Sequence, residues 1–504
     1  MSANIRMSGL QDATTLLRGG WKNTDPSRSR GVQFAAIYTE RELEMVKNGF
    51  DTVVLGGTVV SGHGQAAADI GITDGKVEVI ARGLSRQSAA HVIDASGKLV
   101  LPGVIDAHNH PVYDDDVEGT SISAVHGGVT TLIPFIGPNP AWGLPATKLV
   151  DTVKPFIEQA EANSVVDFGI HGVVIGHDDV VPQIPALVEM GVISIKFFMA
   201  YKKRGMMMSD DEILRVMDAL AANGAIAMIH AENGGAIDYL TDKLSGSPKV
   251  DNEAFIKAHR DLLEAEAIFR AVALAESVGC PLYIPHVAVK EGVDILRPLM
   301  HSLPMPLFLE TCPHYLVLTN DEVLRRGPLA KIGPPIRERH DNNALWEGLR
   351  DGVIEVIGTD HASIHQEKKM MCNHILDARF GAPGIEYLLT LTYSEGVRKN
   401  RIGLGRMVNV LCENPAKIFG LYPRKGALVP GADADLVVFD PEKRQVCSAE
   451  TQHGKSDYCL FEGMETVGAP ILVMQRGKVL VENGTLLAKP GEGKYLPAFN
   501  PIWD

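Results

Sequence analysis

The sequence predicts an α/β protein: a (β/α)8 TIM barrel with a small discontinuous β-sandwich domain assembled from both ends of the chain. Three observations predict it. Eight short, apolar, β-rich runs follow one another through the middle of the chain, from Gly103–Asp106 to Val353–Thr359. The stretches between most of them carry helical periodicity, and about 250 residues of such alternation match one barrel better than an open doubly wound sheet. Short β-branched runs broken by glycine also occur on both sides of this middle segment.

The elements follow in chain order. Residues 1–50 read as an N-terminal extension, with Asp25–Gly31 linker-like and Thr39–Asn48 a short polar helix. From Thr52 the runs Thr52–Leu55, Thr58–Val60, Asp69–Ile72, Val77–Ile80, His91–Asp94 and Leu99–Leu101 read as strands of a small sheet, because turn formers separate them. The same texture returns at Gly426–Asp440 and in a hairpin formed by Ile471–Gln475 and Lys478–Glu482. Residues 51–102 and 426–485 are therefore assigned to one composite domain, 103–425 to the barrel and 486–504 to a C-terminal tail. The barrel runs are Gly103–Asp106, Val129–Phe135, Val165–Val174, Ile193–Met199, Ile226–His230, Leu282–His286, Leu307–Thr311 and Val353–Thr359. Among the helices, Ile213, Val216, Met217 and Leu220 follow i, i+3, i+4, i+7 behind the capping candidates Ser209 and Asp210. Phe255–Val278 reads as one longer amphipathic helix.

Composition excludes several classes. With 45% hydrophobic and 22% charged residues the chain buries a large core, which rules out disorder. Lys+Arg 48 against Asp+Glu 62 leaves a net charge of −14, contrary to the clustered basic charge that nucleic acid or an anionic membrane demands. Cys280, Cys312, Cys372, Cys412, Cys447 and Cys459 lack metal or redox spacing and read as buried thiols of a cytoplasmic protein. No secretory signal or apolar membrane span is read.

The polar residues at strand ends carry the chemistry. The first run ends Asp106-Ala107-His108-Asn109-His110, and two histidines at i, i+2 on an extended segment face the same side. The fifth ends in His230, the sixth in His286 and the eighth leads into Asp360. A single strand-end histidine is ordinarily structural. Four histidines and an aspartate brought to one rim by separate barrel strands instead point to divalent metal, and exceed what one catalytic ion needs. The fourth run carries Lys196 inside an apolar stretch, where an ammonium is costly unless its stem is buried and its head snorkels outward. Two cations would still lack a negative ligand between them.

These residues, set within Val100–Asp106 and Gly426–Leu436, resemble the amidohydrolase superfamily, and within it the cyclic amidohydrolases of the hydantoinase and dihydropyrimidinase group. Gly127–Thr131, Lys196–Lys202, His230–Asn233, Glu310–Leu316, Gly333–Arg337 and Gly381–Glu386 support the resemblance, which covers residues 52 to 485. It implies two zinc-like ions bridged by a carboxylated Lys196. Carried over by position, His108 and His110 bind one ion with Asp360, and His230 and His286 bind the other. Two cations lower the pKa of a shared water, so hydroxide attacks an amide carbonyl polarised by an ion and by Tyr201. Asp360 then moves the proton to the leaving nitrogen. The implied activity is hydrolysis of a C–N bond in a cyclic amide, ureide or imide, by a homotetramer or homodimer acting on a small molecule.

Departures from the group concern the substrate. A serine that precedes its Pro-Pro-Leu-Arg stretch corresponds to Gly333, and an asparagine before Gly-x-Pro-Gly-Ile-Glu corresponds to Phe380. With Tyr201, these are the candidate substrate-binding positions. Glycine can retain a backbone contact, whereas phenylalanine replaces a polar partner with an aromatic face. The loop Pro111–Asp114 is short, and Arg204–Met208 on the same rim reads as loop packing. An allantoinase-like enzyme, or one acting on acyclic or xenobiotic amides, is the alternative. A non-catalytic dihydropyrimidinase-like scaffold is disfavoured by the presence of every ligand position.

Overall fold

The computed structural model describes residues 49–138, 147–175, 179–300 and 302–503. The linker and polar helix expected within residues 1–50 lie outside them. Two nine-stranded sheets account for the strands.

The first sheet joins the two ends of the described chain. Its strands are β1 Phe50–Ser61, β2 Gly64–Thr73, β3 Lys76–Ala81, β4 Ala89–Asp94 and β5 Leu99–Pro102, followed much later by β15 Leu436–Val446, β16 Glu465–Gln475, β17 Lys478–Glu482 and β18 Thr485–Leu486. The two short runs expected at the start are one strand, β1, with a register shift between Val54 and Gly57. That bulge lets a single edge serve two partners: the first half of β1 pairs with β4 and the second with β5, both in parallel. β5 then pairs antiparallel with β15, which links residues 99–102 to 436–439. Val77 of β3 and Met474 of β16 are far apart in strand order yet share one core with Ile70, Val100 and Leu436, so the sheet closes over itself.

The second sheet is the barrel. Its strands are β6 Val104–Asn109, β7 Val129–Ile136, β8 Asp167–Phe168, β9 His171–Val173, β10 Ser194–Phe198, β11 Ile226–His230, β12 Leu282–Ile284, β13 Leu307–Thr311 and β14 Val356–Ile357. All pairings are parallel. β7, β10 and β11 are buried along their whole length, as expected of strands covered on both faces. β8 and β9 are two pieces of the third run. β8 hydrogen-bonds the C-terminal tail on its outer side, through Phe168 N–H to Lys494 O (3.0 Å) and Leu496 N–H to Phe168 O (2.7 Å), while β9 pairs with β10. The tail packs further on its own chain through the Trp503 indole and Ile418 O (3.0 Å). The ring closes between the first and last strands. Thr359 gives its N–H (2.9 Å) and hydroxyl (2.8 Å) to the buried Asp106 carboxylate, and Asn109 bridges in parallel to His361.

Helices cover the barrel. α1 Val117–His126 is capped by Asp116, and of the two capping candidates for α2 Asp210–Ala222, Ser209 is the cap, in a capping box closed by Glu212, while Asp210 is the first helical residue. The predicted helix Phe255–Val278 is instead two, α3 Glu253–Ala258 and α4 Asp261–Val278. His259 leaves helical geometry at the break and turns its Nδ1 to Glu232 Oε1, 2.8 Å away. A buried ion cluster ties barrel to sheet: the Lys425 ammonium meets Asp167 (2.7 Å), Asp433 (3.0 Å) and Asp435 (2.6 Å). Among the described residues no helix is long and apolar enough to cross a membrane.

Candidate active site

At the C-terminal rim, β6 delivers His108 and His110, and the segment after β14 delivers Asp360. Asp360 Oδ1 lies 3.1 Å from both His108 Nε2 and His110 Nε2, and the three ligand atoms fall within 4.8 Å of one another. Gly358 permits this approach, because a Cβ there would stand 2.5 Å from Glu310 Oε2 and 2.8 Å from the His108 Cβ. Opposite them, β11 ends in His230, whose Nδ1 is 3.1 Å from His286 Nε2 beyond β12. Lys196 on β10 is buried, with Nζ 3.1 Å from His108 Nε2 and 4.2 Å above the Phe135 ring. Desolvation pulls its ammonium down to about 8. All six sequence-nominated ligands therefore meet at one place, and five of them line a cleft with Tyr201, Gly333 and Phe380.

Electrostatics set the protonation states. Burial would raise the Asp360 carboxyl, but the His108 and His110 imidazoles hold it well below the usual carboxylate range. Desolvation drives His286 well down and pushes the Tyr201 hydroxyl well up, so that hydroxyl stays protonated. Backbone strain gathers here too: Tyr201, His286 and Asp360 have φ of 62°, 46° and 49°. Side chains of this bulk rarely adopt the left-handed region, at a cost of about 1–3 kcal/mol each, and here it turns three nominated residues into one cleft.

The supports were not nominated from the sequence. Glu310 accepts from His108 Nδ1 (2.5 Å) and the Tyr283 hydroxyl (2.7 Å), which leaves His108 Nε2 to face the cleft. Glu232 does the same for His230, with Nε2 at 2.8 Å, and is itself held by His259. Arg337 closes this chain through the His259 carbonyl and Glu264 (2.7 Å). Arg204, read as loop packing, instead lines the cleft beside Met206.

The amidohydrolase family model matches residues 99–480. The chain belongs to the amidohydrolase family. It is 36% identical over 461 residues to a D-hydantoinase of Ralstonia pickettii, covering 88% of this chain and 98% of that one. An L-hydantoinase of Paenarthrobacter aurescens is 35% identical over 461 residues, covering 90% and 99%. Among solved structures, a dihydropyrimidinase from Brevibacillus agri superposes with a TM-score of 0.85 at 31% identity, covering 89% of this chain and 99% of that one.

Where this amidohydrolase departs from the expected pattern, the two departures touch. A Cβ added to Gly333 would lie 3.0 and 3.1 Å from Phe380 ring atoms and 2.6 Å from the Tyr201 hydroxyl. The Phe380 ring therefore fills space that a serine side chain would need. Phe380 also packs edge-on to Tyr201, with centroids 5.5 Å apart, and lies under the Lys331 ammonium at 4.3 Å.

Proposed function

We propose that this amidohydrolase cleaves a C–N bond in a cyclic amide, ureide or imide, as the names of its hydantoinase and dihydropyrimidinase relatives suggest. The observation that carries the reading is the convergence of His108, His110 and Asp360 with a facing histidine pair and a tyrosine hydroxyl on one cleft. Four imidazoles and a carboxylate form a donor set suited to zinc, and Glu310 and Glu232 orient two of those imidazoles as metal-bound histidines require. We assign His108, His110 and Asp360 to one divalent ion, His230 and His286 to a second, and Lys196, carboxylated, to both. The place of Lys196 supports this: its Nζ approaches His108, and among the described residues no carboxylate lies within 4.0 Å of it.

Bound divalent ions supply an activated water and a polarised carbonyl at neutral pH. The chain's own residues do the rest. The Tyr201 hydroxyl, kept protonated, donates to the carbonyl oxygen as negative charge develops there. Asp360, kept ionised, takes a proton and gives it to the departing nitrogen. The Gly333 backbone and the Phe380 face hold the ring against them. The reading extends to a cytoplasmic homotetramer or homodimer with its barrel over residues 103–425; the free cysteines and the exposed Tyr239, Leu262 and Phe269 support it.

The test is a turnover screen of metal-loaded protein over hydantoins, dihydropyrimidines, allantoin, cyclic imides and linear amides. Ring opening of a ureide or imide is expected. Turnover of linear amides alone, or purified protein without a tightly held divalent ion, overturns the reading. Lys196→Ala is expected to abolish activity and reduce bound metal.

A further inference from the structure

The cleft wall carries a cation that the proposed ring opening does not use. Arg204, in the turn Lys202–Arg204 after Tyr201, lines the same cleft as His230 and Asp360. Its guanidinium stands over the Tyr201 ring, 5.1 Å from the centroid, and donates to the Tyr113 hydroxyl. Among the described residues, no carboxylate lies within 4.0 Å of Arg204. The acids nearby are engaged: Asp360 with His108 and His110, Asp242 with Lys203, and Asp114 with Lys368. Arg379, exposed and adjacent to Phe380 on another loop, contributes only a more distant positive field toward Tyr113. Arg204 thus stands at the wall of the cleft with aromatic neighbours and no acid to neutralise it, in a chain of net charge −14.

Guanidinium is the side chain best matched to a carboxylate, through two parallel N–H donors in a fixed plane. Its neighbours sharpen the preference. Arg204 is exposed, so an anion reaches it from solvent, and its place over the Tyr201 ring and its bond to the Tyr113 hydroxyl hold the guanidinium in one position. The position matters as much as the charge. Arg204 lies over the ring of the tyrosine whose hydroxyl we assign to the reacting carbonyl, so a group bound by Arg204 belongs to a substituent rather than to the scissile amide.

We propose that Arg204, with Tyr113, forms an anion subsite, and that the preferred substrate is a cyclic amide or ureide bearing a carboxylate on its exocyclic arm. This rests on the ring-opening reading for the substrate's core, but the subsite is testable apart from it.

The experiment compares hydantoin-5-acetic acid with its uncharged amide on the metal-loaded enzyme, both by kcat/KM and by calorimetric Kd. The acid is expected to be favoured by about tenfold or more in both, the size of one charged hydrogen bond. In Arg204→Gln the acid-to-amide ratio is expected to fall to near one, and Arg204→Lys is expected to restore part of it. Arg379→Gln is expected to lower the ratio by a smaller factor. Equal affinity for acid and amide in the wild-type chain, or an unchanged ratio in Arg204→Gln, overturns the proposal. Preferential binding of the acid without hydrolysis of either compound overturns the ring-opening reading and leaves the subsite standing.

Discussion

Gly333→Ser is the most informative substitution, because its consequence can be worked from distances. The added Cβ would sit 2.6 Å from the Tyr201 hydroxyl oxygen and 3.0–3.1 Å from two Phe380 ring carbons. Ordinary carbon–oxygen contact needs roughly 3.3 Å or more, so the tyrosine oxygen must retreat by about 0.5–1 Å or the loops must part. Overpacking of this kind costs about 1–3 kcal/mol of stability. The catalytic penalty is larger in proportion, since a 1 Å misplacement at a reacting centre costs about a hundredfold. Gly333→Ser should therefore lower kcat by about two orders of magnitude while bound metal stays unchanged.

Phe380→Asn provides the second arm. Truncating the ring removes the 3.0 and 3.1 Å contacts and opens space into which Tyr201, 5.5 Å from that ring, can shift. The double substitution should accordingly recover part of the activity that Gly333→Ser alone loses. A coupling energy of about 0.5–3 kcal/mol is expected, the range for residues in contact. The assay is kcat and KM on hydantoin and dihydrouracil for wild type, both single variants and the double, with metal content and thermal midpoint recorded for each. Unchanged kcat in Gly333→Ser, or strictly additive effects across the cycle, would refute the reasoning.

Other predictions test separate parts of the molecule. Tyr201→Phe should lower kcat by about 10²–10³ with metal content intact, as loss of one oxyanion donor does; equal turnover would remove the tyrosine from the reaction. Glu310→Gln should weaken metal retention by about 10–100-fold in a chelator competition, because it frees the His108 ring that Glu310 orients. Lys425→Met leaves Asp435 without an ion-pair partner, while Arg476 stays on Asp167 and Arg424 on Asp433, and should cost about 3–5 kcal/mol in urea unfolding. Within that cluster the pH dependence contributed by Asp433 has a definite sign. Burial would raise Asp433, but the Lys425 ammonium outweighs it and holds the carboxyl at about 2. Its contribution is thus full above the ordinary aspartate range and is lost as pH falls toward 2, which an acid-unfolding series measures.

The candidate ligand positions stand out in the sequence because they break a local rule. His108, His230 and Lys196 interrupt or terminate apolar strands, where a polar side chain is costly without a partner. Glu310 and Glu232 break the same rule, yet their roles stayed hidden. Glu310 serves a histidine 202 positions away, a pairing that only barrel closure creates. The break at His259 was hidden for the same reason: residues 255–278 carry continuous helical periodicity, and only the pull of Glu232 turns the histidine inward. Arg204 was placed on the rim but read as loop packing, since a loop arginine is unremarkable until the ring beneath it is known to be Tyr201.

The two kinds of residue occupy different mechanical settings, which bears on how substrate choice can vary. The candidate ligands stand on or directly after buried strands, and two of them, His108 and His230, are held by acids buried to 0–1% exposure, Glu310 and Glu232. The candidate substrate contacts Tyr113, Arg204, Gly333 and Phe380 all lie in connections beyond the strands. The connection that carries Phe380 is stitched by main chain and lysine rather than by acids. The Lys331 ammonium meets the carbonyls of Leu376 and Ala378, each at 2.8 Å, and Lys369 meets those of Lys331 (3.1 Å) and Gly381. Backbone carbonyls accept whatever side chains the loop carries, so residues 376–381 can exchange an asparagine for Phe380 without losing these anchors. The barrel can keep its acid–histidine chain fixed while three loops redefine what reaches Tyr201. Gly333 is the point where the two settings meet, since its missing side chain lets a loop phenylalanine and a strand-end tyrosine share the same wall.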